Sequence, residues 1–239
     1  ECKGVLWKAA WGALGGCSGY QGDIVGMLRH LWQLAEMPDV SGKRVFVKAN
    51  LVDVIQGQGT TTSPEVIGAL LDLLAERGAQ DVAVGDGPAF HWDASTVARK
   101  TGLIDVLNQH HIALVDLNYD DPQPMPVNDG WLRQEQTFWL PRHIVDADLV
   151  ISVPRLKTQH WAGVTLSLKN LLGIIPGARY GWPKNMIHVN GISPTILGLF
   201  RLLPQVVSVV DGIVGVEGDG PLFGTPVAHG LLAVGRDSL

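Results

Sequence analysis

Cysteine is almost missing from this chain: Cys2 and Cys17 are the two in 239 residues. A cubane iron–sulfur cluster typically draws on four thiolates, so this polypeptide is not expected to hold one. The pair reads as ordinary thiols, and spacing alone defines no disulfide between them. Charge is sparse as well. Asp, Glu, Lys and Arg make up 17% of the chain and the formal net charge is −5, without the basic footprint of a general nucleic-acid binder. No run of about 18 apolar residues is free of charges and helix breakers, so no membrane-crossing helix is expected. The N-terminal residues lack the basic, apolar and small-residue order of a secretory leader, which favours a cytoplasmic protein. Beginning at Glu1 and stopping at Leu239 just after a strand-like LLAVG, the chain reads as trimmed at both ends. Familiar catalytic signatures are missing too. There is no HExxH or Cys/His cluster, no GxSxG elbow, no Walker loop and no Gly-x-Gly-x-x-Gly between a strand and a helix.

What is present is a strongly patterned apolar chain, 46% hydrophobic and able to bury a substantial core. Residues 1–20, rich in Gly and Trp, show no clear period. Residues 22–37 place Ile24, Leu28, Leu31, Leu34 and Ala35 at helical spacing. A buried strand follows at 45–47, ending in Lys48 and Asn50. Ser63-Pro64-Glu65 then opens a helix that runs to about Arg77 and stops at Gly78, and DVAVGD (81–86) reads as the next strand. Further on, the pattern predicts a helix over 94–109 and a strand at 112–117. A Pro- and Asp-rich excursion over 118–130 and a hairpin within 131–144 come next. Strands at 148–153, 206–212 and 229–235 and a short helix at 194–203 complete the reading. This β-loop-α-β grammar predicts one α/β domain over 1–239, with residues 1–40 as an N-terminal segment carrying one helix. The expected core is a mostly parallel sheet with flanking helices in three layers.

The densest polar stretch lies between Asp146 and Gly177. An apolar strand ends at Pro154, and Lys157, Thr158, His160, Thr165, Ser167, Lys169 and Asn170 crowd behind it. In an open α/β sheet ligands bind beyond the carboxyl ends of the strands. Three other expected strands also end in polar groups: Lys48 with Asn50, Asp86, and Asp211. Their recurrence at one end of successive strands predicts a shared site. The expected chemistry is an anion held by Lys48, Lys157 and Lys169, with His160 as general acid and base because its ordinary pKa lies near working pH. Thr165 and Lys169 share a face whether the segment is strand or helix. EGDGPLFGTP (217–226) offers exposed amides around Gly218 and Gly220 for an anion and the carboxylates Glu217 and Asp219 for a hard cation. His188 lies in the same polar region as His160, so Asp211, Glu217 and His188 form a second, metal-binding alternative.

With these segments laid out, the chain resembles the family catalogued as domain of unknown function 362. The carrying residues are Val47 to Val52, Thr61 to Val66, Val84 to Pro88, Pro154 to His160, Thr165 to Asn170, Val210 to Gly215, Gly218 to Pro221 and Gly224 to Pro226. The similarity covers roughly residues 40–239. Family members usually carry Pro where Ala49 stands, and they usually continue past the last strand where this chain breaks off at Asp237-Ser238-Leu239. Many relatives also carry a ferredoxin-like cluster-binding segment, which implies redox chemistry; this chain has none.

The expectation is therefore a protein that binds a carboxylate- or phosphate-bearing small molecule, and an enzyme of unassigned, redox-linked reaction. The alternatives are a non-catalytic accessory module, with tryptophans as anchors for a protein partner or a second copy, and a divalent-cation protein.

Overall fold

The computed structural model describes residues 5–8, 14–19, 22–52, 54, 59–89, 92–127, 137–160, 162–182, 184 and 191–236. In chain order the strands are β1 (Val5–Lys8), β2 (Leu14–Gly19), β3 (Arg44–Lys48), β4 (Asp81–Asp86), β5 (Leu114–Asp116), β6 (Pro122–Pro126) and β7 (Thr137–Pro141). They continue with β8 (Leu149–Ser152), β9 (Arg155–Gln159), β10 (Gly163–Thr165), β11 (Gln205–Glu217), β12 (Thr225–Val227) and β13 (Leu231–Gly235). The helices are α1 (Ile24–Leu34), α2 (Pro64–Glu76), α3 (Ala94–Thr101), α4 (Leu103–Gln109), α5 (Arg142–Val145), α6 (Ser167–Asn170), α7 (Gly177–Tyr180) and α8 (Ile192–Leu202). A 3₁₀ turn, Leu171–Ile174, follows α6 directly.

Local chemistry explains the helix ends. Asp23 caps α1 by accepting from the Gly26 N–H at 2.8 Å, which satisfies one of the donors a helix start leaves open. Pro64 occupies the first turn of α2, where its missing N–H costs nothing. Gly78, just beyond that helix, takes φ +74°, a conformation open to glycine.

The main sheet has the order β1-β2-β13-β11-β8-β3-β4-β5. β11, β8, β3, β4 and β5 are parallel neighbours, and β13, β2 and β1 extend the β11 side antiparallel. Side chains on the two faces divide by parity. Val45, Val47, Val84, Ile151 and Val207 pack under α1 to α4, with Leu28, Leu31, Ile67, Leu70, Val97 and Leu107 facing them. Phe46, Val150 and Val206 face the other way, onto Leu171, Ile174, Ile196 and Leu199 and onto Phe138 and Leu140 of β7. The result is a mixed α/β architecture in three layers with a mostly parallel centre. Strand order reverses between β3 and β8: the chain moves outward through β4 and β5 on one side and from β8 to β11 on the other.

Several local expectations change. The helix expected over 94–109 is broken in two, because Gly102 takes φ +81° and serves as the C-cap of α3 and the N-cap of α4. The Pro-rich excursion contains β6, whose prolines are tolerated because among the described residues that strand pairs on one side alone, with β7. Within the hairpin expected at 131–144, β7 pairs with β6, and the remainder of that expectation falls on residues 131–136, outside the described ones. The strand expected at 206–212 runs on to Glu217, held by β13 and β12. The N-terminal segment, besides α1, contributes β1 and β2, and β2 joins the sheet through β13.

Candidate functional site

Lys48 ends β3 and Asp86 ends β4, and both side chains are buried where the strand order reverses. Lys48 Nζ lies 2.5 Å from Asp86 Oδ1, and donates to Ala49 O at 2.7 Å and Asn170 Oδ1 at 3.1 Å. Three acceptors match the three donors of an ammonium. Asp86 is held in turn by the Leu51 N–H, which donates to Oδ2 at 2.6 Å, and by the Gly87 N–H, which donates to Oδ1 at 2.7 Å. Asn170 clamps α6 to the sheet: its Nδ2 donates to Lys48 O at 3.2 Å and Ser152 Oγ at 3.1 Å. Ser152 Oγ donates to Ser167 O at 3.1 Å. The 3₁₀ turn then seals the pair. A Cβ at Gly173 would stand 2.2 Å from Asp86 Oδ1 and 2.7 Å from Lys48 Nζ, so a side chain there would collide with both.

Three further amines surround this pair. Lys184, unmarked by the sequence reading, is buried and donates to Gly87 O at 2.7 Å and Gly173 O at 3.2 Å. Lys157 is buried on the inward face of β9 and donates to Thr60 O. It has no carboxylate partner among the described residues. Lys169 is half-buried on α6 and has no hydrogen-bond acceptor among the described residues. Burial dominates the electrostatics, since it penalises the charged form of an amine. It pushes Lys157 down to about 7 against the pull of Asp86, with Lys169, Arg155 and Lys48 adding to the fall. Burial likewise pushes Lys184 down to about 7, with Asp86 opposing. Lys48 and Lys169 are lowered for the same first reason. Half-buried Asp116 at the end of β5 is raised, again chiefly by burial.

Asp211 forms a neighbouring wall. It is fully buried, pairs with the Arg155 guanidinium, and accepts from the Ser63 N–H at the start of α2 at 2.8 Å. It sits within β11 rather than at a strand end, opposite Arg155 in register. Asn50, two residues past Lys48, is buried and its Oδ1 has no partner. Thr165 is buried and faces Lys157 across the β9–β10 ladder.

Other predicted residues are placed elsewhere. Arg155, Lys157 and Gln159 alternate inward along β9, whereas Thr158 points the other way and donates to Gly218 O at 2.8 Å. His160, just past β9, lies 3.1 Å from Gly220 O through Nδ1. A Cβ on Gly220 would stand 2.2 Å from Thr158 O, so Gly218 and Gly220 belong to a turn packed on the outer face of β9. Glu217 is exposed beside His229, with 3.5 Å between Oε1 and Nε2. It lies six residues from Asp211 along β11, roughly 20 Å at strand rise. His188 lies outside the described residues, and among those residues no group of three His, Cys, Asp or Glu side chains forms a metal-ligand set.

A thylakoid-associated protein of Synechocystis, sll1697, is 31% identical over 199 residues, covering 82% of this chain and 60% of that protein. The chain thus spans about 60% of that relative's length. A Thermotoga maritima protein of known crystal structure aligns with a TM-score of 0.48 and 14% identity, over 90% of this chain and 55% of that one. Residues 45–239 match the family described as Domain of unknown function (DUF362). That match opens in the strand that delivers Lys48 and runs through every segment of the site, and the chain belongs to this family.

Proposed function

We propose that the chain binds a carboxylate- or phosphate-bearing small molecule beyond the ends of β3, β8 and β9, as the binding step of an enzyme. Lys157 and Lys169 contact the anion, while Lys48, Asp86, Asn170 and Lys184 form the scaffold beneath them. The carrying observation is the imbalance of the cluster. Lys48, Lys157, Lys169, Lys184 and Arg155 are gathered around Asp86, Asp116 and Asp211 in a chain whose overall net charge is −5. An arriving anion supplies the missing counter-charge and favours the protonated amines, so binding takes up protons. The unpartnered Oδ1 of Asn50 accepts one donor from the ligand, which orients it.

Titration calorimetry with inorganic phosphate and with oxalate, in buffers of different ionisation enthalpy, tests this reading. Binding with net proton uptake is expected. Lys169→Gln removes one charge-assisted hydrogen bond, worth about 1.5–3 kcal/mol, and so weakens binding by roughly 10- to 150-fold. Because Lys169 supports no other described side chain through a hydrogen bond, its loss leaves the fold intact. No binding of either anion, or equal affinity in Lys169→Gln, overturns the reading.

A further inference from the structure

The three buried lysines are not equivalent. Lys48 is saturated by a carboxylate, a carbonyl and an amide oxygen. Lys184 is held by two backbone carbonyls, with Asp86 and Asp116 both favouring its charge. Lys157 has one backbone carbonyl, Thr60 O, and three cations near it: Lys169, Arg155 and Lys48. Asp86 favours its charge but is already committed to Lys48. A buried amine so placed is available as a nucleophile in its neutral form, besides meeting an anion in its charged form. Beside it stands Lys169, a cation without an acceptor among the described residues, and across the ladder the buried Thr165.

We propose that Lys157 is a covalent catalyst that forms an imine with the carbonyl carbon of a small oxo acid, whose carboxylate is held by Lys169. This rests on the anion-binding reading above and names its substrate class. The neutral Nζ adds to the carbonyl carbon to give a carbinolamine. The carbonyl oxygen then leaves as water, carrying the two hydrogens of the amine, and a C=N bond remains. No oxidant or reductant is consumed. Protonated, that imine draws electrons from the neighbouring carbon, which is the chemistry a buried lysine supplies to carbonyl substrates. Lys48 and Lys184 do not compete, because their hydrogen bonds hold their amines in the scaffold.

The test is trapping on the intact chain. The protein is incubated at pH 7 with pyruvate or glyoxylate, reduced with borohydride, digested, and the adducts are mapped by mass spectrometry. An amine whose pKa is about 7 is half neutral there, against roughly one part in 2,500 for an ordinary lysine, so labelling of Lys157 should exceed that of surface lysines on the order of 10²- to 10³-fold. Lys157→Met abolishes the adduct. Oxalate, a dicarboxylate that forms no imine, protects Lys157 in the unaltered chain, which keeps the test decisive if the variant fails to fold. Oxalate binding without an adduct on Lys157 overturns the imine and leaves the anion site standing. Neither binding nor trapping overturns both. An adduct on Lys184 or spread over surface lysines overturns the assignment to Lys157.

Discussion

Asp86→Asn isolates the electrostatic hinge of the site. The amide keeps the shape of the carboxylate but removes the charge 2.5 Å from Lys48 Nζ. Deleting one partner of a buried ion pair typically costs about 3–5 kcal/mol. The charge part of that cost has a ceiling, because Lys48 can give up its proton instead. Deprotonation costs about 1.4 kcal/mol for each pH unit below an ordinary lysine pKa near 10.4, hence roughly 4.6 kcal/mol at pH 7 and roughly 1.9 at pH 9. Lys48→Met is the comparison. It leaves Asp86 with the Leu51 and Gly87 N–H donors and with Lys157 and Lys184 still favoured by its charge. Urea unfolding at constant m-value reads both changes. Asp86→Asn should lose about 3–4.6 kcal/mol at pH 7 and clearly less at pH 9, and Lys48→Met should lose less than Asp86→Asn at pH 7. The reasoning fails if the Asp86→Asn loss is the same at both pH values, or if Lys48→Met is the costlier change at pH 7.

Two more outcomes follow from the buried amines. Lys157 and Lys184 sit at about 7 when folded and near 10.4 when unfolded, so between those values the unfolded chain binds more protons and stability rises with pH, by up to about 1.4 kcal/mol per unit for each group. Urea midpoints from pH 7 to 10 should climb, and Lys157→Met should climb less steeply; a flat profile in the unaltered protein refutes the depressed values. Gly173→Ala forces a Cβ to within 2.2 Å of Asp86 Oδ1 and should cost about 1–3 kcal/mol. A melting temperature within error of the parent would show that the turn at 171–174 yields without strain.

Much of the central sheet was legible because buried parallel strands are short apolar runs that stop at a polar residue. Lys48 and Asp86 were read that way, and Lys157 from the polar crowd behind the strand that ends at Pro154. Asp211 was read as the polar end of a strand, but pairing with β13 and β12 carries the strand straight through it. Gly102 was visible, yet the helical period on both sides of it masked the break. Lys184 left no periodic signal, since no strand precedes it; a lone lysine within the uncharged Gly-Trp-Pro context was the available cue. The sorting of polar residues in the 157–170 stretch depended on tertiary register. Thr158 and Lys157 are chain neighbours on opposite faces of one strand. Thr165 ends a strand and Ser167 begins a helix, which buries Asn170 and leaves Lys169 half-buried.

The clamp between Lys48 and Asn170 spans 122 residues of chain, and that distance has a temporal meaning. Long loops must close before such a contact can form, so Lys48 meets its full set of acceptors only when β3, β4 and the segment carrying Asn170 are all in place. Desolvating it earlier would strand a cation without its acceptors. Docking α6 out of register would leave that cation without Asn170 Oδ1, so the buried charge penalises any packing but the observed one.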